Sequence, residues 1–365
     1  MVEALQVEIV RRMGRFMPPK NPLSDVFSTA VLQAWRSRPT EELIYRMNVI
    51  CACGPYPADS SAALELRYWR ARKAAWDTYL FTAFACGMFE GDRGADLRQR
   101  LVSRNADDFR SAMAECEACW FLAGRMKFQL DPVAPGRDGK NLDMRLVLDG
   151  GNIGVEVKAP FRELPQGRVW CGDDSDKVTQ AMEAANKQFA DDSANLLVLV
   201  PSLRRRLFSK RDDLLRAAFG ESKITWAVNP QTGEGGPAEV KFFPEGKFLN
   251  TQLPGGKPIK SDGLPAYRRI SAMLTIEETF EEKYPFPNPL ALVDEKTRGE
   301  IWPLWKRQRE LHASQENEVW TDHDVLVLHN PYAYRSLSQE VFAEFPQLVP
   351  VGNVMEWTDG EEVII

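Results

Sequence analysis

The sequence predicts an α/β protein with a layered architecture. Segments with helical periodicity alternate with strand-like runs, and this alternation is typical of α/β layer folds. Residues 141–160 contain two strand-like runs around a glycine turn. Residues 195–201 and 323–331 are short apolar runs of the kind that form buried strands.

The first part of the chain, residues 1–104, is expected to be mostly helical. A helix is predicted over residues 60–87, where Ser60 or Ser61 can cap it. The breaker-rich residues 51–57 predict a loop. No motif in this region indicates a chemistry, so it could be a recognition module or a cover for the core.

The remaining residues, 105–365, are expected to form the α/β domain. Two insertions are predicted in it, near residues 229–265 because of their Gly and Pro content, and near residues 296–320, which are charged and expected to be helical. The other predicted elements are helices at 107–124, 176–190 and 336–345, and strands at 195–201, 268–278 and 323–331.

The net charge of −6 argues against broad, non-specific affinity for nucleic acid, which depends on Lys and Arg displacing counterions. It leaves room for local basic surfaces, and residues 67–73 and 204–211 are rich in Lys and Arg. Each of these stretches could equally be a solvated helix face. No apolar run of 18 residues and no signal-peptide pattern occur, so a cytoplasmic protein is expected.

The six cysteines are expected to be free thiols, because the chain is neither small nor marked for secretion. Cys116 and Cys119 form a CxxC pattern inside a predicted helix. A zinc site would need two further ligands, and the three histidines do not supply a second ligand pair at zinc spacing. The two thiols are therefore interpreted as small buried residues.

Residues 141–160 predict a β-hairpin around Asp149-Gly150-Gly151-Asn152. If the turn centres on the two glycines, opposite residues have numbers that sum to 301. Asp143 would then face Lys158, and Arg145 would face Glu156. One face would be entirely apolar and packed in the core, with Leu142, Met144, Leu146, Leu148, Ile153, Val155 and Val157.

The other face of the hairpin would carry Asp143, Arg145, Glu156 and Lys158, directed away from the core. Two carboxylates on neighbouring strands repel each other, and a divalent cation such as Mg²⁺ or Mn²⁺ relieves that repulsion. A lysine beside the metal can orient a water molecule or stabilise charge on an attacked phosphate. An exposed salt bridge explains the same residues without any chemistry, and acid-x-Lys on a strand is common by chance.

Asp143, thirteen residues before Glu156-Val157-Lys158, resembles the motif of the PD-(D/E)xK nuclease superfamily, whose fold is called restriction-endonuclease-like. The predicted helices and strands over residues 105–200 are similar to the αβββαβ order of that family. The proline that often precedes the first Asp of the motif is replaced here by Leu142.

This resemblance implies a central mixed sheet flanked by helices and a Mg²⁺- or Mn²⁺-dependent endonuclease, a hydrolase of phosphodiester bonds with DNA as the expected substrate. Asp143 and Glu156 would bind the metal, and Lys158 would assist the attacking water. The family often adds a Glu from the preceding helix, here Glu115 in preference to Glu117, as a further metal ligand. Gln180 resembles a polar residue that some members direct at the site.

A second hypothesis is a catalytically silent protein with the same fold, which binds nucleic acid or a protein partner as a scaffold. The complete set of Asp143, Glu156 and Lys158 favours the nuclease, and the acidic net charge favours the scaffold. The sequence leaves open DNA against RNA, sequence specificity and whether the chain forms a homo-oligomer. His323 and His329 lack a nucleophilic Ser or Cys motif and are interpreted as flanking a strand.

Overall fold

A computed structural model provides the structure of the protein. It describes the backbone of residues 21–51, 61–132, 134–160, 174–201, 211–228, 235–243, 246–251, 262–282, 319–351, 354–358 and 362–363. None of the helices in these ranges is both long enough and apolar enough to cross a membrane. Residues 296–318 of the helix predicted at 296–320 and the basic stretch at 204–210 lie outside the described residues, and residues 319 and 320 belong to a strand.

The chain divides into two compact units, each built from separate segments. One unit contains the described residues of Glu117–Glu277 and Asp324–Ile365. The other contains those of Gly14–Cys116 and Glu278–His323. The described boundaries between the units fall inside one helix, after Cys116, and inside two strands, after Glu277 and after His323. The predicted division between residues 104 and 105 stays a prediction.

The N-terminal part is helical where the structure describes it, as predicted. The helices in this part are α1 (Pro22–Val26), α2 (Thr29–Ser37), α3 (Glu41–Cys51), α4 (Ser61–Ala85), α5 (Gly91–Val102) and α6 (Ala106–Cys119), and a π-helical turn (Trp120–Arg125) extends α6.

Local chemistry explains several of these helix boundaries and packing faces. Ser28 caps α2 by accepting a hydrogen bond from the backbone N–H of Val31. The apolar face of α4 is buried at Ala75 and Tyr79, as its periodicity predicted. The thiols of Cys116 and Cys119 are fully buried on α6, as expected, and among the described residues neither these two nor Cys51 and Cys86 form a disulfide. Cys53 and Cys171 lie outside the described residues.

The strands and the later helices follow the π-helical turn. The strands are β1 (Gln129–Asp131), β2 (Ala134–Pro135), β3 (Asn141–Leu142), β4 (Met144–Leu148), β5 (Gly151–Lys158), β6 (Ala194–Leu199), β7 (Glu221–Val228), β8 (Gly235–Phe243), β9 (Ala272–Glu282), β10 (Val319–His329), β11 (Gln347–Val351), β12 (Val354–Trp357) and β13 (Glu362–Val363). The helices are α7 (Ser175–Asn186) and α8 (Arg211–Phe219).

Nine of the described strands form one mixed sheet, in the order β1-β4-β5-β6-β9-β10-β11-β12-β13. Strands β1, β4 and β5 pair antiparallel, whereas β5, β6 and β9 pair parallel. Helix α7 connects β5 to its parallel neighbour β6, which is the usual role of a crossover helix. The strands β2 and β3 form a separate short ladder, and β7 and β8 form a separate hairpin.

Helices α7 and α8 cover one face of this sheet. The predicted apolar face of α7 is buried there, together with inward residues of β6 and β9. The shared core contains Val178, Met182, Ala185, Phe189, Leu197, Leu199, Leu214, Ala218, Met273 and Leu328. The α/β prediction, with a mixed sheet flanked by helices, is therefore confirmed in this coarse form.

The predicted register of the hairpin is wrong by two residues. Arg145 pairs with Gly154 and Leu148 pairs with Gly151, so opposite residues have numbers that sum to 299. The two-residue turn is Asp149-Gly150, one position earlier in the chain than a turn centred on the two glycines. Because the shift is even, the alternation of faces along β4 and β5 is unchanged.

Leu142 is the exception to that alternation. It pairs with Ala134 in the short ladder and joins the core beneath α7, and its Cδ1 lies 2.7 Å from where a Cβ of Gly154 would be. The strand is interrupted between Leu142 and Met144, which changes the phase of the side chains. The prediction that Leu142 shares a face with Met144 is therefore wrong.

Elements towards the C-terminus also differ from the prediction. The hairpin of β7 and β8, from Glu221 to Phe243, extends into the insertion predicted near residues 229–265, and the predicted strand at 268–278 runs from Ala272 to Glu282. The helix expected at 336–345 is a short 3-10 turn, Gln339–Phe342. Strands β11 to β13 were not predicted.

Asn195 ties β6 to the start of β9. Its side chain is 0% exposed, and its Nδ2 donates hydrogen bonds to the carbonyl oxygens of Ala190 and Arg269, both at 2.8 Å. Its backbone N–H donates to Ser271 Oγ at 2.9 Å, and its backbone oxygen accepts from Ser271 N–H. These bonds satisfy buried polar groups at the entry of two inner strands.

Replacing Asn195 with alanine should lower the free energy of unfolding by about 2–3 kcal/mol, because it leaves buried carbonyl groups without donors and opens a cavity. Chemical denaturation followed by fluorescence measures this change. Asn141→Ala, at an exposed position, is the control and should change stability by less than about 0.5 kcal/mol. Equal transition midpoints for both variants would contradict the assigned role.

Candidate metal and phosphodiester site

Asp143 occupies the interruption between β3 and β4 and is held by the neighbouring strand. Its Oδ2 accepts a hydrogen bond of 2.7 Å from the backbone N–H of Val157. Val157 lies between Glu156 and Lys158 on β5, so this bond fixes the Asp143 carboxylate beside both residues. The sequence predicted this proximity correctly, although through an incorrect register.

Glu156 and Lys158 share one face of β5, because residues two apart on a strand point to the same side. Lys158 Nζ forms an ion pair with Glu156 Oε1. Glu156 is only 2% exposed and the Lys158 side chain is 26% exposed. The expectation that both side chains point away from the core is therefore wrong for Glu156, which is buried on the side of the sheet that α7 covers.

The burial of Glu156 follows from the strands beside it. Glu156 pairs with Leu197 on β6, and Lys158 pairs with Leu199. Both leucines belong to the core beneath α7. A carboxylate in such surroundings costs much free energy unless it is paired, and ionisable groups of this kind concentrate at functional sites.

The donor chemistry of Asp143 and Glu156 fits a hard divalent cation. Both supply carboxylate oxygens, which Mg²⁺ and Mn²⁺ prefer. Within the described part of the chain, no group of three or more His, Cys, Asp or Glu side chains is placed closely enough to hold a metal ion. Two carboxylates are a usual protein contribution to a Mg²⁺ site that keeps several water ligands.

Glu115, the preferred third ligand, lies in the other compact unit and is part of an arginine cluster. It is 3% exposed, and its two oxygens accept hydrogen bonds from Arg100 at 2.6 and 3.1 Å. Arg93 approaches it at 3.8 Å. Its role as a metal ligand stays a prediction, and the contacts described here are those of a buried ion pair.

Glu117 and Gln180 both belong to the unit that contains Asp143 and Glu156. Glu117 is half-buried at the end of α6, just before the π-helical turn. Gln180 is exposed on α7, opposite the face that packs on the sheet. The suggested role of Gln180 at the site also stays a prediction.

The histidines have structural partners. His329 ends β10 and its Nε2 lies 2.8 Å from Gln347 Oε1, and burial lowers the pKa of this imidazole below its ordinary value. His323 Nε2 lies 3.0 Å from the hydroxyl of Tyr79. The chain turns after His329, as predicted.

Sequence reasoning missed the arginine partners of Glu115. Arg100 lies fifteen positions earlier, on α5, and helical spacing relates residues only three or four apart. Arg100 also pairs with Asp96 on its own helix, at the i,i+4 spacing that a sequence pattern can reveal. The contact to Glu115 depends on the packing of two helices and leaves no such pattern.

Comparison of the chain with family models, curated proteins and solved structures gives no match. The functional interpretation of this site therefore rests on its own residues.

Lys158→Met should destabilise the protein by about 1–3 kcal/mol in the presence of EDTA, because it removes an ion-pair partner from the buried Glu156 carboxylate. The double variant Glu156→Met/Lys158→Met should regain most of the loss, since it removes the buried charge as well. Urea denaturation of the three proteins measures both effects. A double variant less stable than Lys158→Met would contradict this account of the pair.

Proposed function

We propose that this chain is a divalent-metal-dependent nuclease, an enzyme that hydrolyses phosphodiester bonds, whose reactive residues are Asp143, Glu156 and Lys158. The observation that carries the proposal is the hydrogen bond from Val157 N–H to Asp143. It holds the Asp143 carboxylate, from the interruption between β3 and β4, at the backbone of β5 between the ion-paired residues Glu156 and Lys158. This combination supplies metal ligands and a cation for a phosphate group at one place.

The order of elements around the site supports the same proposal. If the short β2–β3 ladder is set aside, the elements follow one another along the chain as helix α6, the antiparallel strands β1, β4 and β5, the crossover helix α7 and the parallel strand β6. This is the αβββαβ order of restriction-endonuclease-like proteins, with the acid before β4 and the Glu-x-Lys on β5 as in their motif. We propose that the unit adopts that fold, with the short β2–β3 ladder as an addition.

The buried pair supports a reactive site over a purely structural one. An ion pair as buried as Glu156–Lys158 adds little net stability, because desolvation offsets the attraction between the charges. Apolar residues of similar size would serve the packing at least as well. The free energy spent on burying the charges is explained if they act on a ligand.

Each of the three residues has a distinct role in the proposed reaction. Asp143 and Glu156 hold the cation, which when bound supplies positive charge beside the phosphate and a more acidic water. Val157 N–H orients the Asp143 carboxylate. Lys158 donates hydrogen bonds to the attacking water and to the phosphate oxygen on which negative charge grows. Glu115 is left out of this minimal set because Arg100 engages both of its oxygens.

DNA is the proposed substrate. The net charge of −6 argues for a local contact with the phosphate backbone and against affinity distributed over the whole surface. The partly exposed Lys158 provides one positive group at the proposed point of cleavage.

One observation favours the second candidate, a silent scaffold of the same fold. Lys158 Nζ contacts Glu156 directly, and in a chain that never binds metal this ion pair would be the permanent arrangement. Cleavage assays and metal titration separate the two candidates.

Glu156→Gln and Lys158→Met should each lower the rate of DNA cleavage on the order of 100-fold or more, because each removes charge that stabilises the transition state. Initial rates on plasmid and linear DNA with Mg²⁺ or Mn²⁺ measure the loss. RNA and single-stranded DNA, assayed in parallel, identify the substrate class.

The ion pair between Arg145 and Asp131, on β4 and β1, provides matched controls in the same sheet. Arg145→Met and Asp131→Asn should cut at nearly the wild-type rate. Unchanged cleavage in Lys158→Met would remove that residue from the reaction, and a wild type without any cleavage would favour the scaffold.

Metal binding should also be visible in thermal stability. A ligand at a hundredfold excess over its dissociation constant stabilises the folded state by about 2.7 kcal/mol, so millimolar Mn²⁺ should raise the Tm of the wild type by a few degrees. Asp143→Asn keeps an oxygen that accepts from Val157 N–H but loses the charge. In EDTA its Tm should match or exceed that of the wild type, because the repulsion between the carboxylates of residues 143 and 156 is gone. With Mn²⁺ it should lose most of the shift in Tm, because a metal ligand is gone.

Differential scanning calorimetry of both proteins, with EDTA and with Mn²⁺, provides the measurement. Asp131→Asn serves as the control for the loss of a carboxylate and should keep the wild-type shift. An equal shift in wild type and Asp143→Asn would place the metal elsewhere.

A further inference from the structure

Strand β9 carries a buried hydroxyl on the same face of the sheet as Glu156 and Lys158. Thr275 is 3% exposed, and within the part of the chain that the structure describes its Oγ1 makes no hydrogen bond. Buried hydroxyls are nearly always hydrogen bonded, because an unsatisfied one costs folding free energy. Thr275 therefore has a polar group whose cost the fold itself does not explain.

The register of the parallel strands places Thr275 in line with Lys158. Lys158 pairs with Leu199 on β6, and Leu199 pairs with Thr275 on β9. Paired residues of neighbouring parallel strands point to the same side of the sheet, and two strand spacings correspond to about 10 Å. Lys158 and Thr275 therefore lie on either side of Leu199.

This row lies at the carboxyl ends of β5 and β6, whereas β9 continues beyond Thr275 to Glu282. β5 ends at Lys158 and β6 ends at Leu199, and ligands of open α/β sheets bind at that end. Thr275 is buried to nearly the same degree as Glu156, at 3% and 2% exposed. A ligand that reaches the Glu156 carboxylate must therefore enter a region closed to solvent. The Thr275 hydroxyl lies on the same face of the sheet as that carboxylate.

We infer that Thr275 is a substrate-binding residue of the proposed nuclease site. Its hydroxyl donates a hydrogen bond to an oxygen of a second phosphate, the one adjacent along the DNA backbone to the phosphate held at Lys158. A hydroxyl is a suitable group for this contact, because it is a short donor and forms stronger bonds with charged oxygens than with neutral ones. The inference rests on the proposed function and adds a second phosphate contact to it.

Thr275→Val tests this directly, because valine keeps the shape of threonine and removes only the hydroxyl. We expect a stability in EDTA equal to or above that of the wild type, since an unsatisfied polar group is gone. We expect binding of a fluorescein-labelled duplex DNA oligonucleotide in EDTA, and kcat/KM for its cleavage with Mn²⁺, to fall about tenfold. Thr275→Ser restores the hydroxyl and should recover both.

Thr82→Val is the matched control. Thr82 is also fully buried, but its hydroxyl donates to the carbonyl oxygen of Thr78 at 2.9 Å. This variant should lose some stability and leave DNA binding unchanged. If the Thr275 hydroxyl had a purely structural role, Thr275→Val would behave like Thr82→Val, with lower stability and unchanged DNA binding. That result would overturn the inference.

The outcomes separate the inference from the proposed function. A wild type that cuts DNA, with Thr275→Val binding and cutting equally well, overturns the inference alone. A wild type that binds the oligonucleotide without cutting it, with weaker binding in Thr275→Val, supports the inference and overturns the nuclease. A wild type that neither binds nor cuts the oligonucleotide overturns both.

Discussion

The hydrogen bond from Val157 N–H to the Asp143 carboxylate is the constraint on which the candidate site depends. In a continuous strand a backbone carbonyl oxygen would accept from Val157 N–H. Here the side-chain oxygen of Asp143 is the acceptor instead. The strand is interrupted there, Leu142 turns towards the core beneath α7, and Met144 restarts the alternation on β4. One short contact thus sets both the position of an acid and the phase of the hairpin.

The charges beside this contact are arranged within an otherwise apolar sheet. Glu156 is flanked on β6 by Leu197, and Lys158 by Leu199, so these charged groups border the main core instead of an exposed loop. Such a support holds side chains in fixed rotamers, which favours precise placement of a ligand. Asn195 has a comparable role at the other end of β6, where it fills the space that a side chain at position 154 would need.

Much of the architecture could be predicted from residues 141–160 and the periodic segments around them. The glycine turn, the alternating apolar residues of β4 and β5, and the apolar stripe of α7 are local signals, and each is confirmed. The register was wrong by two because the position of the turn is set by backbone geometry that Gly150 and Gly151 leave open. The burial of Glu156 and the arginine partners of Glu115 depend on packing between distant segments, which no local pattern contains.

The assembly of the site-bearing unit from two separate segments has a consequence for folding during synthesis. β9 pairs with β6 on one side and with β10 on the other, and β10 is made only after the residues that follow Glu282. At about 5–20 residues per second, the free edge of β9 stays unpaired for seconds in the growing chain. An exposed inner strand can pair with other chains, so the nascent protein is most prone to aggregation during this interval. A chaperone bound then would have the greatest effect on the yield of folded protein.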